Sequence, residues 1–218
     1  GKTTLVNLLP RFYDPTAGEI LLDDVPLRDY SLEALRRQIS IVSQEVTLFN
    51  DTIAANIAYG SLSSATPEQI EAATHAANVD EFINLLPDKL ETMVGDRGIL
   101  LSGGQRQRIC IARAVVMEPK LIVADEAVSA LDVSVQRQVL DLFLDIRQRF
   151  GMAMLFITHD LRVAAQVCDR VVVMQHGKVV EQGKTTDVYN NPQHPYTKEL
   201  LAAAPGRDGA RGAAGRLL

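Results

Sequence analysis

The chain has 218 residues, of which 47% are hydrophobic, which excludes wholesale disorder and suffices for one large domain or for a core with an inserted subdomain. Its 22 Lys and Arg against 27 Asp and Glu give a net charge of -5, so we expect no nucleic-acid partner. No apolar run approaches the roughly 20 residues that a membrane-spanning helix needs. We therefore expect any membrane role to act through a partner.

The N-terminal part combines a phosphate-loop pattern with short strands. Residues 1–4 (GKTT) match the end of the pattern GxxxxGK[ST], although an ordinary helix start has the same letters. Runs of β type follow at 19–23 and 39–43. Between them we expect a turn that contains Pro26 and a charged helix over 31–38.

From about Asp51 to about Val115 the pattern becomes helical. Thr66, Pro67 and Gln69 supply a capping residue, a proline at the first helical position and a third-position partner for the cap. This combination predicts the start of a helix. We interpret the whole stretch as a helical insert.

The third part alternates strands and helices. Residues 121–124 (LIVA) are typical of a buried strand, the helix that follows ends at Gly151, and a second apolar run covers 152–157. Strand, helix and strand with short links predict a parallel sheet with helices packed on it. Residues 171–180 predict a terminal hairpin, and the glycine-rich stretch 205–218 predicts a disordered tail.

Two carboxylates, Asp125 and Glu126, follow the predicted buried strand. They lie at the carboxyl edge of the sheet, where open α/β folds bind ligands, although such a pair is also typical of a helix cap. Together with Lys2 and Thr3 they suit a nucleotide and its metal ion. The lysine reaches the β and γ phosphates, the threonine and Asp125 hold Mg²⁺, and Glu126 polarises the attacking water.

The stretch LSGGQ at 101–105 predicts an anion-binding helix start. Ser102 is a capping residue with Gln105 as its partner, and Gly103 and Gly104 leave backbone N–H groups bare at the positive end of the helix dipole. A capping box that is followed by two glycines and binds no anion would have the same sequence.

Taken in order, these segments resemble the nucleotide-binding domain of ATP-binding cassette (ABC) transporters, from the first residue to about Pro205. The matching segments are Gly1 to Thr4 (end of Walker A), Gln44 (Q-loop), Leu101 to Gln105 (signature), Asp125 and Glu126 (Walker B), Ser129 to Asp132 (D-loop) and His159 (switch histidine). Singly, Gln44 is more typical of a turn and His159 of a helix cap. Their order along the chain supports the family reading.

The resemblance implies an α/β fold of the P-loop NTPase class. We expect a RecA-like core with a parallel sheet over 1–50 and 115–190, and an inserted helical subdomain over 51–114. The C-terminal extension and tail would cover 191–218. Because a complete domain of this family has further Walker A residues and an adenine-stacking aromatic before the GKTT stretch, we expect the core to be incomplete at its N-terminus. The chain as it stands should bind ATP poorly.

The resemblance also implies the cofactors ATP and Mg²⁺ and a head-to-tail pair of nucleotide-binding domains, with each ATP between the Walker A loop of one domain and the signature of the other. The nucleotide-binding residues would be Gly1, Lys2, Thr3, Thr4, Gln44, Ser102, Gly103, Gly104, Gln105, Asp125 and Asp132. The catalytic residues would be Glu126 as general base, His159 and Gln44. The metal ligands would be Thr3, Gln44 and Asp125.

A transmembrane domain is the second implied partner, which places the chain at the cytoplasmic face of the inner or plasma membrane. The two halves of the sequence differ in the transporter that they resemble. Residues up to about Ala114 are similar to lipid and multidrug exporters, whereas those from about Val115 are similar to the ATPase subunits of dipeptide and oligopeptide importers. Because coupling runs through the Q-loop and the helical insert, we expect the direction to follow the first half.

Two alternatives remain open. Soluble cassette ATPases serve DNA maintenance and translation, but the sequence has neither the long coiled-coil insertions nor the second cassette that mark them. The chain could also be a non-catalytic fragment. The presence of Glu126, His159 and the LSGGQ stretch disfavours that reading.

Overall fold

The computed structural model describes residues 2–203, apart from the side chain of Ser61. The chain divides into a larger unit, Leu5–Leu155, and a smaller unit that comprises, among the described residues, 2–4 and 156–203. The α-helices are α1 (Lys2–Leu8), α2 (Leu32–Arg37), α3 (Ile53–Ile57), α4 (Pro67–Ala76), α5 (Asp80–Ile83), α6 (Gly103–Val115), α7 (Val133–Phe150), α8 (Leu161–Val167), α9 (Thr185–Asn190) and α10 (Pro195–Ala203). The strands are β1 (Leu21–Leu22), β2 (Val25–Pro26), β3 (Ile39–Ser43), β4 (Leu121–Asp125), β5 (Ala153–Ile157), β6 (Arg170–Gln175) and β7 (Lys178–Lys184).

A parallel strand pair forms the centre of the larger unit. Strands β3 and β4 pair in parallel from Ile39 opposite Leu121 to Ser43 opposite Asp125, and β4 lies between β3 and β5. The middle of β4, residues 122–124, is completely buried. A strand covered on both faces is an uninterrupted apolar run, which is why the sequence predicted it correctly.

Helix α7 has two well-defined ends. Asp132 caps its N-terminus, and its C-terminus stops at Gly151, which adopts φ +63° in the left-handed region that glycine enters without steric cost. Phe143 and Ile146 on its inner face are completely buried. The helix therefore packs an apolar face into the core.

The predicted start of α4 is confirmed. The Gln69 N–H donates to the Thr66 hydroxyl at 3.3 Å, and the Thr66 N–H donates to Gln69 Oε1 at 2.9 Å, with Pro67 as the first helical residue. These are the two bonds of a capping box, which pair two backbone N–H groups that the helix cannot pair by itself.

The turn near the N-terminal hairpin lies elsewhere than expected. Pro26 is not in the turn but in β2, where it pairs with Leu21. The chain reverses at Asp23 and Asp24, whose φ angles are +51° and +63°. Short polar side chains tolerate this left-handed conformation, and two such residues match the twist of a tight hairpin. Proline fits β2 because it lies in a strand with only one partner.

The smaller unit contains the predicted hairpin. Strands β6 and β7 pair antiparallel, with an irregularity at Val173 and Met174, and they connect through His176 and Gly177, both with positive φ. The Glu181 carboxylate of β7 accepts hydrogen bonds from the N–H groups just before α10, those of Gln193 at 2.8 Å and of His194 at 3.0 Å. The predicted tail at 205–218 lies outside the described residues.

The pKa of Glu181 should control how the start of α10 attaches to β7. The hydrogen bond from the Gln193 N–H is the main cause that lowers this pKa below 4.5. The stabilisation is therefore fully present above pH 4.5 and is lost as the pH falls through the lowered pKa. We expect the amide resonances of Gln193 and His194 to shift with a midpoint below 4.5 in an NMR titration.

Two variants test this attribution. Glu181→Gln should abolish the transition, because an amide does not titrate. Glu199→Gln, which changes an exposed carboxylate on α10, should leave it unchanged. An unchanged transition in Glu181→Gln would contradict the assignment.

Candidate functional site

The carboxyl edge of the sheet brings three of the predicted residues together. Ser43, the last residue of β3, pairs with Asp125, the last residue of β4. Gln44 directly follows β3 and Glu126 directly follows β4, so both residues lie where the strands leave the sheet at the same edge. Asp125 and Glu126 are half-buried. The edge thus carries one amide residue and two carboxylate residues at neighbouring positions.

Glu126 has a backbone conformation that is rare for its residue type. Its φ is +51°, in the left-handed region. Ser129 stabilises the turn, because its backbone N–H and its hydroxyl both donate to the Glu126 carbonyl, at 3.0 and 2.9 Å. Such conformations cost free energy and persist only where neighbours fix them. The turn sets the direction in which the chain leaves Asp125.

The LSGGQ stretch forms the predicted capping box at the start of α6. The Gln105 N–H donates to the Ser102 hydroxyl at 3.2 Å, and the Ser102 N–H donates to Gln105 Oε1 at 2.9 Å. Gly103 and Gly104 occupy the first helical turn and have no side chain above their N–H groups. The exposed Ser102 and the two glycines give this helix start the polarity and access that a bound anion needs.

Gly104 also lies against the start of α7. A Cβ added at Gly104 would lie 2.8 Å from Val135 Cγ1, closer than real contacts allow, whereas one at Gly103 would be at an ordinary 3.6 Å from Leu131. The Asp132 carboxylate accepts hydrogen bonds from the N–H groups of Ser134 and Val135, at 3.1 and 3.0 Å. The structure therefore brings the signature glycines and Asp132 together at the ends of two packed helices.

The other predicted residues belong to the smaller unit. Lys2, Thr3 and Thr4 are the first residues of α1, and Gly1 lies outside the described residues. His159 lies between β5 and α8, next to Asp160, whose carboxylate caps α8 by accepting from the Arg162 N–H at 2.8 Å. The Arg162 guanidinium lowers the pKa of Asp160 through a side-chain hydrogen bond.

The donor groups at the sheet edge of the larger unit fit a magnesium ion that is held together with phosphates. Gln44 and Asp125 offer an amide and one carboxylate, and Mg²⁺ in such sites uses one or two carboxylates while phosphates and water supply the rest. Among the described residues no group of three or more His, Cys, Asp or Glu could hold a metal ion alone. Asp125, half-buried at the sheet edge, is the carboxylate of this set that directly ends β4.

Arg106, which was not among the predicted site residues, shapes the loop before the signature. Its guanidinium Nη1 donates to the carbonyl of Leu101 at 3.0 Å and to that of Gly98 at 3.5 Å. Gly98 has φ +71°, and a Cβ there would meet Leu48 at 2.9 Å. The arginines after LSGGQ were the available signal, because charged residues inside a half-buried helix need partners.

The contact between Gly104 and Val135 predicts a specific pattern of stability. Gly104→Ala should destabilise by about 1–3 kcal/mol through overpacking. Gly104→Ala combined with Val135→Ala should recover most of this loss, because the second change removes the methyl group that clashes. Gly103→Ala is the matched control and should be nearly neutral, since its new methyl meets ordinary contacts. The free energy of unfolding in urea should be measured for the wild type and the three variants. Equal losses of this free energy for Gly103→Ala and Gly104→Ala would contradict the assignment.

None of the described helices is long and apolar enough to cross a membrane.

The sequence profile of the family described as "ABC transporter" matches residues 1–129, and that described as "Oligopeptide/dipeptide transporter, C-terminal region" matches residues 180–217. The first match confirms the expected family. The second falls within the part of the chain, from about Val115, that was expected to resemble dipeptide and oligopeptide importers.

Relatives named ATP-dependent lipid A-core flippase match most of the chain. The Pseudoalteromonas atlantica protein is 49% identical over 183 residues (84% of this chain, 31% of the relative). The Burkholderia orbicola protein is 50% identical over 185 residues (84% and 30%), and the Pseudomonas aeruginosa protein 46% over 194 residues (89% and 32%). The chain thus spans about a third of the length of the curated relatives that it matches.

A solved structure supports the same conclusion. The structure described as a bacterial Atm1-family ABC exporter with ATP bound matches with a TM-score of 0.80 and 37% identity, over 93% of this chain and 35% of that one. This likeness confirms the predicted α/β fold of the P-loop NTPase class. Since the family profile covers more than half of the sequence and the fold agrees, the chain belongs to the ABC transporter family and has the fold of its ATP-binding domain.

Proposed function

We propose that this chain binds and hydrolyses ATP to power transmembrane transport by an exporter of the ABC family. The observation that carries the proposal is the parallel register of β3 and β4, which delivers Gln44, Asp125 and Glu126 to one edge of the sheet. Ligands of open α/β sheets bind at this edge. Family membership supports ATP as the nucleotide, and the shared edge supports the choice of Gln44, Asp125 and Glu126 as residues that act on it.

In this proposal the first residues hold the phosphates. Gly1 contributes its backbone N–H, Lys2 its ammonium group, and Thr3 and Thr4 their N–H and hydroxyl groups. A lysine acts on phosphate as a point charge, and N–H groups at a helix start add the positive end of the helix dipole. Thr3, Gln44 and Asp125 would hold Mg²⁺, which offsets the charge of the β and γ phosphates.

Glu126 is the proposed general base. Its carboxylate accepts a proton from the water that attacks the γ-phosphorus, while His159 and Gln44 hold that water and the phosphate in line. Ser129 fixes the backbone turn at Glu126, and in this proposal Asp125 serves the metal and Glu126 the water. Phosphoryl transfer depends mainly on such positioning.

A second nucleotide-binding domain is needed to complete the site. Ser102, Gly103, Gly104 and Gln105 would bind the γ-phosphate of the ATP held by the second domain. The exposed Ser102 and the N–H donors of the two glycines, which have no side chain above them, support this role. Asp132 would lie at this interface. The closed pair then forms only with ATP, and hydrolysis releases it.

We also propose that the chain works at the cytoplasmic face of a membrane, attached to a transmembrane domain, with a core over 1–50 and 115–190, a helical subdomain over 51–114 and an extension over 191–218. The named lipid A-core flippases and the exporter structure support this arrangement, since they match 84–93% of the chain. Because the matched relatives are named lipid A-core flippases, lipid A with its core is the proposed cargo.

A peptide importer is the second candidate. One observation favours it: the match of residues 180–217 to the C-terminal region of oligopeptide and dipeptide transporters. That match covers a smaller part of the sequence than the flippase alignments. It also lies away from Gln44, after which coupling to a membrane domain is expected.

Replacing Glu126 tests the proposed chemistry. In the purified whole protein, expressed from its own gene, Glu126→Gln should lower kcat for ATP hydrolysis by about 10²–10⁴-fold with little change in KM, since the amide cannot accept the proton. Glu71→Gln, an exposed change on α4, is the matched control and should keep wild-type turnover. A Glu126→Gln protein that hydrolyses ATP at the wild-type rate, or a wild-type protein without turnover, would refute the proposal.

The cargo can be tested with the same protein in lipid vesicles. Lipid A with its core sugars should stimulate ATP hydrolysis and move across the bilayer when ATP is added outside. A mixture of di- and oligopeptides with the matching binding protein should have no effect. Stimulation by peptide alone would favour the importer instead, and stimulation by neither would point to the soluble cassette ATPases.

A further inference from the structure

Arg113, on the inner side of α6, makes an unusually complete set of polar contacts. Its Nε donates to the carbonyl of Asn56 at 2.6 Å, its Nη1 to the carbonyl of Thr47 at 3.1 Å, and its Nη2 to Asn56 Oδ1 at 3.2 Å. Its partners are 57 and 66 residues away in the sequence. One guanidinium fork thus joins α6 to a distant segment of the larger unit.

Asn56 makes this junction stiff. The residue is completely buried, its Oδ1 also accepts from the Phe49 N–H at 2.8 Å, and its Nδ2 donates to the carbonyls of Phe49 and Thr52, both at 2.9 Å. All hydrogen-bonding groups of this side chain are therefore paired. A buried network that is fully paired specifies one arrangement, because any shift leaves a costly unpaired group.

Two stacked aromatic rings close the junction on its outer side. Phe49 and Tyr59 stack with ring centroids 3.8 Å apart and an angle of 11° between their planes. The Arg113 guanidinium carbon lies 6.0 and 5.9 Å from their centroids. A cation at this distance from a ring face is attracted to it, which adds to the hydrogen bonds.

The two joined elements both lead to the proposed ATP site. Helix α6 begins just after Ser102, and the segment 47–59 begins three residues after Gln44. Two further contacts hold the segment 47–59 to the loop before Ser102: Thr52 forms a β-bridge with Met93, and Leu48 lies against Gly98. Arg113 is the polar link among them that acts directly on α6.

We propose that Arg113 is a positioning residue that makes α6 and the segment 47–59 one rigid body, so that Ser102 and the chain after Gln44 move together during ATP-driven closure. This inference rests on the proposed function and adds a coupling residue to it. Arg113 itself contacts no nucleotide. Its effect is on how often the signature reaches the closed position.

Arg113→Lys is the appropriate variant, because it keeps the charge over the rings and loses only the planar fork that reaches two carbonyls at once. In the purified whole protein we expect kcat for ATP hydrolysis to fall about threefold to thirtyfold while KM for ATP stays close to wild type. Arg149→Lys, an exposed change at the end of α7, should have no effect.

Hydrogen exchange provides a readout that does not depend on activity. In the wild type, amides of 47–59 and of α6 should open with the same free energy, as one cooperative unit. In Arg113→Lys the segment 47–59 should exchange faster while α6 keeps its protection. A general loss of packing would instead speed up both regions equally and lower the melting temperature.

Each outcome decides one of the two claims. Wild-type kcat for Arg113→Lys at a temperature where both proteins are folded, or joint exchange of the two regions in the variant, would overturn the role of Arg113. A wild-type protein that does not hydrolyse ATP would overturn the proposed function, and the exchange pattern would still decide whether Arg113 joins the two elements.

Discussion

The parallel register between β3 and β4 is the constraint on which the rest of the site depends. Because Ser43 is paired with Asp125, the residues that follow the two strands, Gln44 and Glu126, lie at the same edge of the sheet. A shift of one residue would put the Asp125 carboxylate in the completely buried place that Ala124 occupies opposite Val42, which would cost the desolvation of a charge. The apolar core therefore fixes the place of the polar residues, although none of its side chains takes part in the chemistry.

A second constraint concerns backbone approach rather than side chains. The starts of α6 and α7 come together because Gly104 has no Cβ that would collide with Val135. This approach places the capping serine of one helix near the capping aspartate of the other, Ser102 and Asp132. The positive ends of two helix dipoles thus lie in one region, and the Asp132 carboxylate pairs with the first N–H groups of α7.

Features that depend on neighbouring residues could be predicted from the sequence, whereas contacts between residues far apart in the sequence could not. The strand 121–125, the capping boxes at Thr66 and Ser102 and the hairpin at His176 depend on neighbours within a few residues, so their letters suffice. The turn assigned to Pro26 was wrong because Asp23 and Asp24, which bear no strong turn signal together, adopt positive φ. The junction at Arg113 could not be predicted, since it joins residues more than fifty positions apart.

The three arginines of α6 show how a polar helix can still be held in one orientation. Arg106 binds the carbonyls of the loop before the signature, and Arg108 binds the carbonyl of Asn78 at 3.0 Å and the side chain of Gln138 at 3.3 Å. Arg113 binds the segment after Gln44. The three groups thus fasten the helix to three different segments, and each binds at least one main-chain carbonyl oxygen. An apolar face alone would allow α6 to rotate or slide by a fraction of a turn. The guanidinium forks oppose that motion. They thereby fix the direction in which the N-terminus of α6 points, and in the proposed function that N-terminus binds a phosphate.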